Sequence, residues 1–203
     1  CAARLAQMGY PVTIFEAEKV AGGMLALGIP AYRLPRDILQ RDIRRILRAG
    51  VKLRTGVRVG KDVTLRELRE KGFAAIYLAV GAWQETPLNV PGSDRTGVLG
   101  SLSFLKAWNT GAIRPNKGVY TLKTAGSSIA ITGSRVAVVG GGNAAMDVAR
   151  TCIRMGAREV HVVYRRSRDA MPAIREEIEE AEREGVQFHF FLSPKEVEGP
   201  DSR

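Results

Sequence analysis

The hydrophobic positions follow two alternating spacings along the chain, and this alternation predicts strands separated by helices. The short apolar runs that are typical of buried strands occupy residues 11–15, 51–56, 74–80, 135–139, 159–164 and 186–191. Between these runs, apolar residues recur every three or four positions. In segment 36–49, for example, Leu39, Ile43 and Leu47 share one helical face. Strands that alternate with helices predict an α/β fold with parallel sheets.

A stretch rich in Pro, Gly, Asn and Asp just before residue 100 predicts a boundary, because such residues form connections rather than core elements. We therefore predict a first domain over 1–100, a connection over 101–134 and a second domain over 135–203. Within the connection, the polar, glycine-rich residues 111–133 predict a hairpin or a long loop. The first residues read as the interior of a helix, which predicts that the chain is a fragment of a longer protein.

Composition excludes several classes of protein. Of the 203 residues, 45% are hydrophobic and 26% charged, as in a globular protein and unlike a disordered one. The two cysteines, Cys1 and Cys152, exclude a disulfide scaffold and a complete iron–sulfur ligand set, and their apolar surroundings predict buried free thiols. No apolar run approaches the ~20 residues of a membrane span. No secretory signal opens the chain, so we expect a cytoplasmic protein.

The net charge of +10 permits binding to phosphate-bearing cofactors, nucleic acid or anionic lipid and does not choose among them. The basic residues are dispersed and no nucleic-acid motif is present, so we expect no nucleic-acid partner. A solvated basic surface explains the charge equally well.

The strongest motif follows the run at 135–139, where Gly140, Gly142 and Ala145 fit G-x-G-x-x-A between a strand and a helix. Gly140 permits the sharp turn, Gly142 lets the backbone approach a pyrophosphate, and Ala145 lets the helix pack closely on the strand. The N–H groups at the helix start then face the anion. The motif predicts a dinucleotide site.

The end of the next strand indicates which dinucleotide this site takes. A site for NAD usually has Asp or Glu there, to hold the ribose 2′-hydroxyl. Here Arg165 and Arg166 follow Tyr164, and arginine offers a planar fork of donors that suits a 2′-phosphate. We therefore favour NADP(H) over NAD(H), with Arg158 as a weaker candidate. The alternative is that the two arginines are ordinary surface charges.

A second dinucleotide unit is indicated near the start of the chain. Glu16 ends a strand that follows a helix and Gly9, which is where a ribose-binding acid stands about 20 residues after a glycine fingerprint. Two such units suggest a flavin site beside a nicotinamide site. The predicted fold is α/β, with two Rossmann-like dinucleotide-binding units of the glutathione-reductase-like type, a partial FAD domain and an NADP domain.

A series of segments carries a family resemblance. They are Glu16 with 22–25, then 28–35, 55–62, 78–82, 140–147, 164–166 and 171–173. In this order they resemble the small (β) subunit of NADPH-dependent glutamate synthase. The same pattern is similar to the flavin and NADPH domains of dihydropyrimidine dehydrogenase and to the large subunit of NADH-dependent ferredoxin:NADP oxidoreductases.

The resemblance implies a flavin-dependent NADP(H) oxidoreductase module that passes a hydride between NADPH and FAD. Electrons would then reach iron–sulfur clusters in another segment or in a partner, either a ferredoxin-type protein or a large catalytic subunit. Because the cofactors carry the chemistry, no catalytic side chain and no protein-held metal is implied. His161 and His189, which alternate within apolar strands, are predicted to be packed core histidines.

The resemblance also implies roles for individual residues. Glu16 would hold the adenosine ribose of FAD, and the backbone of Val59 would meet the adenine. The positions implied to contact FAD are Glu16, Gly23, Leu25, Arg33, Val59, Ala79 and Gly81. Those implied to contact NADP(H) are Gly140, Gly142, Asn143, Ala144, Arg165 and Arg166.

Two other functions fit the sequence. One is an NADP-dependent dehydrogenase without flavin, in which Glu16 is only structural. The other is a redox-inactive subunit that binds or senses a dinucleotide. Bound flavin that NADPH reduces would distinguish a flavin-dependent oxidoreductase from both of these functions.

Overall fold

The computed structural model describes residues 1–124 and 127–199, and the chain divides into two compact units. Unit 1 comprises residues 1–27 and 31–83. Unit 2 comprises residues 28–30 and the described residues from 84 onward.

Unit 1 contains a two-stranded parallel sheet and four helices. Its elements are α1 (Ala2–Gln7), β1 (Thr13–Glu16), α2 (Gly23–Leu27), α3 (Arg36–Arg48), β2 (Lys52–Thr55) and α4 (Leu65–Glu70). The register places Glu16 opposite Thr55. The predicted apolar face of α3 packs inward, because Leu39 is buried with Ala26 and Leu27 of α2.

Helix α4 begins at a capping box that the sequence Thr64-x-x-Glu67 encodes. The Thr64 hydroxyl accepts a hydrogen bond from the Glu67 N–H at 3.1 Å, and the Thr64 N–H donates to Glu67 Oε2 at 2.7 Å. These reciprocal bonds satisfy N–H groups that a helix N-terminus otherwise leaves without partners. The bond from the Thr64 backbone also holds the pKa of the Glu67 carboxyl below its ordinary value.

The predicted strand at 74–80 is wrong. Within the described part of the chain, this segment has no regular secondary structure, and Tyr77, Leu78 and Val80 are 74%, 64% and 73% exposed. A strand requires a hydrogen-bonded neighbour, and the sheet of unit 1 consists of β1 and β2 alone in the residues that the structure describes. The apolar run predicted a buried strand, but without a hydrogen-bonded neighbour the segment is neither a strand nor buried.

Unit 2 contains two three-stranded sheets. Its antiparallel sheet is formed by β3 (Pro115–Asn116), β4 (Val119–Thr124) and β5 (Ser127–Ala130), which follow helix α5 (Ser101–Asn109). Its parallel sheet has the order β6-β7-β8, with the elements β6 (Arg135–Val139), α6 (Asn143–Arg154), β7 (Glu159–Tyr164), α7 (Arg175–Arg183) and β8 (Gln187–Phe190). The alternation of strand and helix from 135 to 190 matches the prediction from the sequence.

The predicted division into 1–100, 101–134 and 135–203 differs from the units of the structure. Residues 84–134 belong to unit 2, and the segment 101–134 is part of its core rather than a connection. Phe104, Leu105 and Ile113 are buried in the same hydrophobic cluster as Met146 and Val162. The segment is polar on average, but several of its large apolar side chains, such as Leu122 and Ile131, are buried in this cluster.

The cysteines and histidines are placed as follows. Cys152 is buried, as predicted, and burial raises the pKa of its thiol to about 12, whereas Cys1 is exposed, contrary to the prediction. His161 and His189 are half-buried on neighbouring strands, with His161 Nδ1 lying 3.0 Å from His189 Nε2.

In the part of the chain that the structure describes, no helix has the length and apolarity that a bilayer crossing requires.

Candidate functional site

The glycine turn between β6 and α6 has the conformation that the motif predicts. Gly140 has a φ of +137°, which residues with side chains rarely adopt, and its N–H donates to the Val163 carbonyl at 3.0 Å. A Cβ built on Gly140 would lie 3.8 Å from the Cβ of Ala145, which is an ordinary contact. The backbone conformation, rather than lack of space, therefore requires glycine at position 140.

Gly142 precedes α6 and leaves its surroundings open. A Cβ built there would meet no atom of the described chain within 4 Å. Among the described residues no side chain caps α6 at Gly142. The first N–H groups of a helix have no intrahelical acceptors, and the helix dipole makes this end positive. The turn thus offers backbone donors and space to an anion, which fits a pyrophosphate.

Asn143 and Ala144 begin helix α6, next to this open turn. The Asn143 side chain also makes a contact that the sequence did not predict, because its Oδ1 accepts a hydrogen bond from the Ile174 N–H at 2.9 Å. Ala144 is half-buried. The Asn143 side chain therefore joins the turn to the segment that precedes α7.

Arg165 and Arg166 lie at the same edge of the sheet as the glycine turn. They follow directly after β7, whose Val163 is opposite Val139 at the end of β6. Both arginines are exposed, and neither forms an ion pair with the residues that the structure describes. Arg158 lies at the other end of β7 and pairs with Glu159 at 3.2 Å, so it is remote from the turn.

Tyr164 contacts the glycine turn in a way that the sequence analysis missed. A Cβ built on Gly141 would lie 2.7 Å from two ring carbons of Tyr164, so the ring is packed against this glycine. The Tyr164 hydroxyl donates to the Ala170 carbonyl at 2.8 Å, and the Ala173 N–H donates to the Gly141 carbonyl at 3.1 Å. The signal in the sequence was Gly141 itself, because the motif requires glycine at 140 and 142 but not at the position between them.

A buried arginine joins helix α6 to helix α7, and the sequence analysis missed it as well. The Arg150 side chain is only 7% exposed, and its guanidinium nitrogens lie 2.6 Å from Glu177 Oε2, 2.8 Å from Glu184 Oε1 and 3.5 Å from Glu180 Oε2. Arg154 also pairs with Glu184. This ion-pair cluster gives Glu177, which the sequence left without a role, a structural function.

The ion-pair cluster makes the stability of unit 2 depend on pH. Burial acts to raise the pKa of the Glu184 carboxyl, but the hydrogen bonds and charges of Arg154 and Arg150 outweigh it and hold that pKa below its ordinary value. A carboxyl with a lowered pKa contributes stability above its unfolded value of about 4.3, and this contribution is lost as the pH falls through the folded value. We expect Glu184→Gln to lower the urea unfolding midpoint at pH 7 and to have much less effect near pH 3. The control is Glu176→Gln, an exposed residue in the first turn of α7, the helix that Glu184 follows. An equal loss at both pH values would contradict the expectation.

The structure describes the first part of the implied FAD site in unit 1. Glu16 ends β1, is half-buried, and accepts a hydrogen bond from the Glu18 N–H through Oε1 at 2.9 Å. Gly23 begins α2, and a Cβ built there would meet nothing within 4 Å. Gly22 is the tightly packed glycine, because its Cβ would lie 3.0 Å from that of Ala26. Leu25 is exposed, and its carbonyl accepts from Arg36 Nη1 at 2.8 Å.

The remaining residues implied for FAD are less uniform in their surroundings. Arg33 is half-buried, and Val59 is exposed in a short parallel bridge to Val63. Ala79 and Gly81 lie exposed in the irregular segment that was predicted to be a strand. The expectation that a buried strand presents these two residues to a cofactor is therefore not met in the described chain, because that strand is not formed.

Comparison with known proteins identifies the family. The model of the pyridine nucleotide-disulphide oxidoreductase family matches residues 1–203. The chain belongs to this family. The predicted fold class and oxidoreductase class are thereby confirmed, and the cofactors predicted for it, FAD and NADP(H), are those of this flavoprotein family. Its relatives confirm the resemblance to the glutamate synthase small subunit.

Relatives in the family include the NADP(+)-dependent formate dehydrogenase subunit beta of Moorella thermoacetica, which is 45% identical over 94% of this chain. The glutamate synthase [NADPH] small chain of Azospirillum brasilense is 33% identical over 98% of the chain. The chain spans 25% and 40% of the lengths of these relatives, both of which are named as components of larger assemblies.

The fold is also similar to that of a solved protein structure. The structure of Mycobacterium tuberculosis FprA in complex with NADPH superposes with a TM-score of 0.75, at 19% identity, over 98% of this chain and 58% of that one. This similarity supports the fold of the pyridine nucleotide-disulphide oxidoreductase family for the chain.

Proposed function

We propose that this chain is the NADP(H)-binding and part of the FAD-binding region of a flavin-dependent oxidoreductase subunit. The observation that carries the proposal is the placement of Arg165 and Arg166 at the same sheet edge as the open glycine turn. A backbone anion site and two exposed guanidinium groups at one edge suit the two phosphate positions of NADP(H).

The chain's own residues would bind and orient the nucleotide. The N–H groups of Asn143 and Ala144 would donate to the pyrophosphate, which can approach because Gly142 carries no side chain. Arg165 and Arg166 would hold the 2′-phosphate by charge-assisted hydrogen bonds. Asp147 is buried one turn into α6 and is not part of this contact surface. No acid, base or nucleophile from these residues is needed.

In unit 1, the residues fit the adenosine end of FAD. The Glu16 carboxylate ends a parallel strand, where it can accept from a ribose hydroxyl, and Gly23 leaves open space for a diphosphate. We propose that Leu25, Arg33, Val59, Ala79 and Gly81 complete the FAD contacts. Bound FAD would supply the redox chemistry, which is hydride exchange with a nicotinamide and single-electron transfer to acceptors.

We further propose that the electrons pass to iron–sulfur clusters in a partner or in another segment of the protein, and that the protein works in the cytoplasm. The names of the relatives support a partner, since both belong to proteins of more than one subunit. The names of the two relatives give different substrates, formate and glutamate. We therefore propose that the region shared with this chain exchanges electrons with NADP(H), and that other parts of each protein act on the substrate.

Anaerobic reduction of the full-length protein tests the proposed function. We expect the purified protein to carry a flavin absorption band that NADPH bleaches at a much lower concentration than NADH. Bleaching by NADH alone would overturn the assignment of Arg165 and Arg166. A protein without flavin that still binds NADPH would support the dehydrogenase or sensor interpretation instead.

A further inference from the structure

We propose that the contact between Gly141 and the Tyr164 ring is a positioning device that sets NADP(H) selectivity. It holds the segment 165–174 against the glycine turn and so fixes where Arg165 and Arg166 stand. The inference rests on the proposed NADP(H) site. It assigns a role to Gly141, which occupies a variable position of the glycine motif, and to Tyr164, which precedes the arginine pair.

The first observation is that the Tyr164 ring is the nearest obstacle to a side chain at position 141. Gly141 is buried, and a Cβ there would lie 2.7 Å from Cδ2 and Cε2 of the ring and 3.0 Å from Cγ. The φ of Gly141 lies outside the left-handed region, unlike that of Gly140. The backbone conformation at 141 would therefore tolerate alanine, and the space that the Tyr164 ring occupies is what requires glycine there.

The second observation is that the same segment is bonded to the turn at several points. The Tyr164 hydroxyl donates a hydrogen bond to the Ala170 carbonyl at 2.8 Å. The Ala173 N–H donates to the Gly141 carbonyl at 3.1 Å, and the Ile174 N–H donates to Asn143 Oδ1 at 2.9 Å. Residues 165–169 are thus enclosed between a ring fixed on the turn and a chain that returns to the turn.

The consequence concerns the two arginines, which begin this enclosed loop. Their backbone is fixed on one side by Tyr164, and on the other the Arg166 carbonyl accepts from the Phe191 N–H at 3.4 Å. A pre-positioned pair of guanidinium groups loses less freedom on binding a phosphate than a mobile pair does. Loosening the Tyr164 contact should therefore weaken binding of the 2′-phosphate more than binding of the rest of the nucleotide.

Titration calorimetry of the full-length protein with NADP+ and with NAD+ tests this inference. We expect Gly141→Ala to weaken NADP+ binding about tenfold and NAD+ binding much less, since losing about one charge-assisted hydrogen bond to the 2′-phosphate has an effect of this order. Tyr164→Phe keeps the ring and removes the bond to Ala170, so a smaller loss of selectivity is expected. Tyr120→Phe, whose ring packs on Trp108, is the matched control.

A double variant separates positioning from general damage. Because Tyr164→Ala removes the ring, adding Gly141→Ala to it should cause no further loss of NADP+ affinity, whereas the separate effects would add if the residues acted independently. Urea unfolding midpoints of all variants show whether each is folded. If Gly141→Ala does not fold, the two Tyr164 variants still carry the test.

The outcomes distinguish this inference from the proposed function. A wild-type protein that binds NADP+ more tightly than NAD+, with variants that keep the same selectivity, would overturn the positioning role alone. Equal weakening of NADP+ and NAD+ by Gly141→Ala would overturn it too, because the effect would then lie in the turn. A wild-type protein that binds neither nucleotide would overturn the proposed function itself.

Discussion

Replacing Arg165 and Arg166 together by alanine is expected to weaken NADPH binding by about a hundredfold while leaving NADH binding nearly unchanged. Each hydrogen bond to a charged group contributes about 1.5–3 kcal/mol, and the proposed site gives the 2′-phosphate two guanidinium partners. NADH has no phosphate there, so it loses nothing comparable. The measurement is the dissociation constant of each nucleotide, with the concentration that bleaches the flavin as a second readout.

A matched pair of arginines at the other end of the same sheet provides the control. Both control arginines are exposed: Arg135 is the first residue of β6, and Arg158 directly precedes β7. Arg165, in contrast, follows the end of β7. Arg135→Ala with Arg158→Ala removes the same net charge without touching the proposed site. If this control weakens NADPH binding as strongly as the Arg165 and Arg166 pair does, a general effect of positive charge is the explanation.

Arg150→Ala is expected to destabilise unit 2 by about 3–5 kcal/mol, which is the cost of breaking a buried ion pair by removing one partner. The change removes the cation that the carboxylates of Glu177, Glu180 and Glu184 share. The effect is measured as the shift in the urea unfolding midpoint of the full-length protein. Helix α6 also carries the glycine turn at its start, so nucleotide affinity should fall with stability.

Arg154→Ala is the matched control for Arg150→Ala. Arg154 also pairs with Glu184, but its side chain is 33% exposed, compared with 7% for Arg150. Water screens a partly exposed pair, so we expect a loss of about 1 kcal/mol or less. Equal losses for the two variants would show that burial does not decide the effect, which would contradict the assignment of Arg150 as the central residue of the cluster.

The glycine turn shows how a local sequence signal predicts a site. The order strand, Gly140, Gly142, helix was enough to predict the turn, because φ of +137° and an open helix N-terminus are properties of a few consecutive residues. The position of the arginine pair followed for the same reason, since the carboxyl ends of adjacent parallel strands share one edge. Gly141 and Tyr164 were not predicted, because their contact joins residues that are distant in sequence.

Segments 74–80 and 101–134 show the limit of reasoning from hydrophobicity alone. The first has the composition of a buried strand, yet it forms none in the described chain, because strand pairing needs a neighbour. The second reads as a connection, yet Phe104 and Leu105 are buried in the core of unit 2. Average polarity does not report which few side chains face a core.

The sequence by itself determined the features that depend on neighbours within a few positions. These include the amphipathic face of α3, the capping box at Thr64, the glycine turn and the charges at the end of β7, since backbone geometry and side-chain spacing are local properties. The tertiary structure decided which distant groups meet. The ring of Tyr164 on Gly141 and the burial of Arg150 among three glutamates depend on how β7 and α7 pack against the turn and α6, and no short stretch of sequence contains that information.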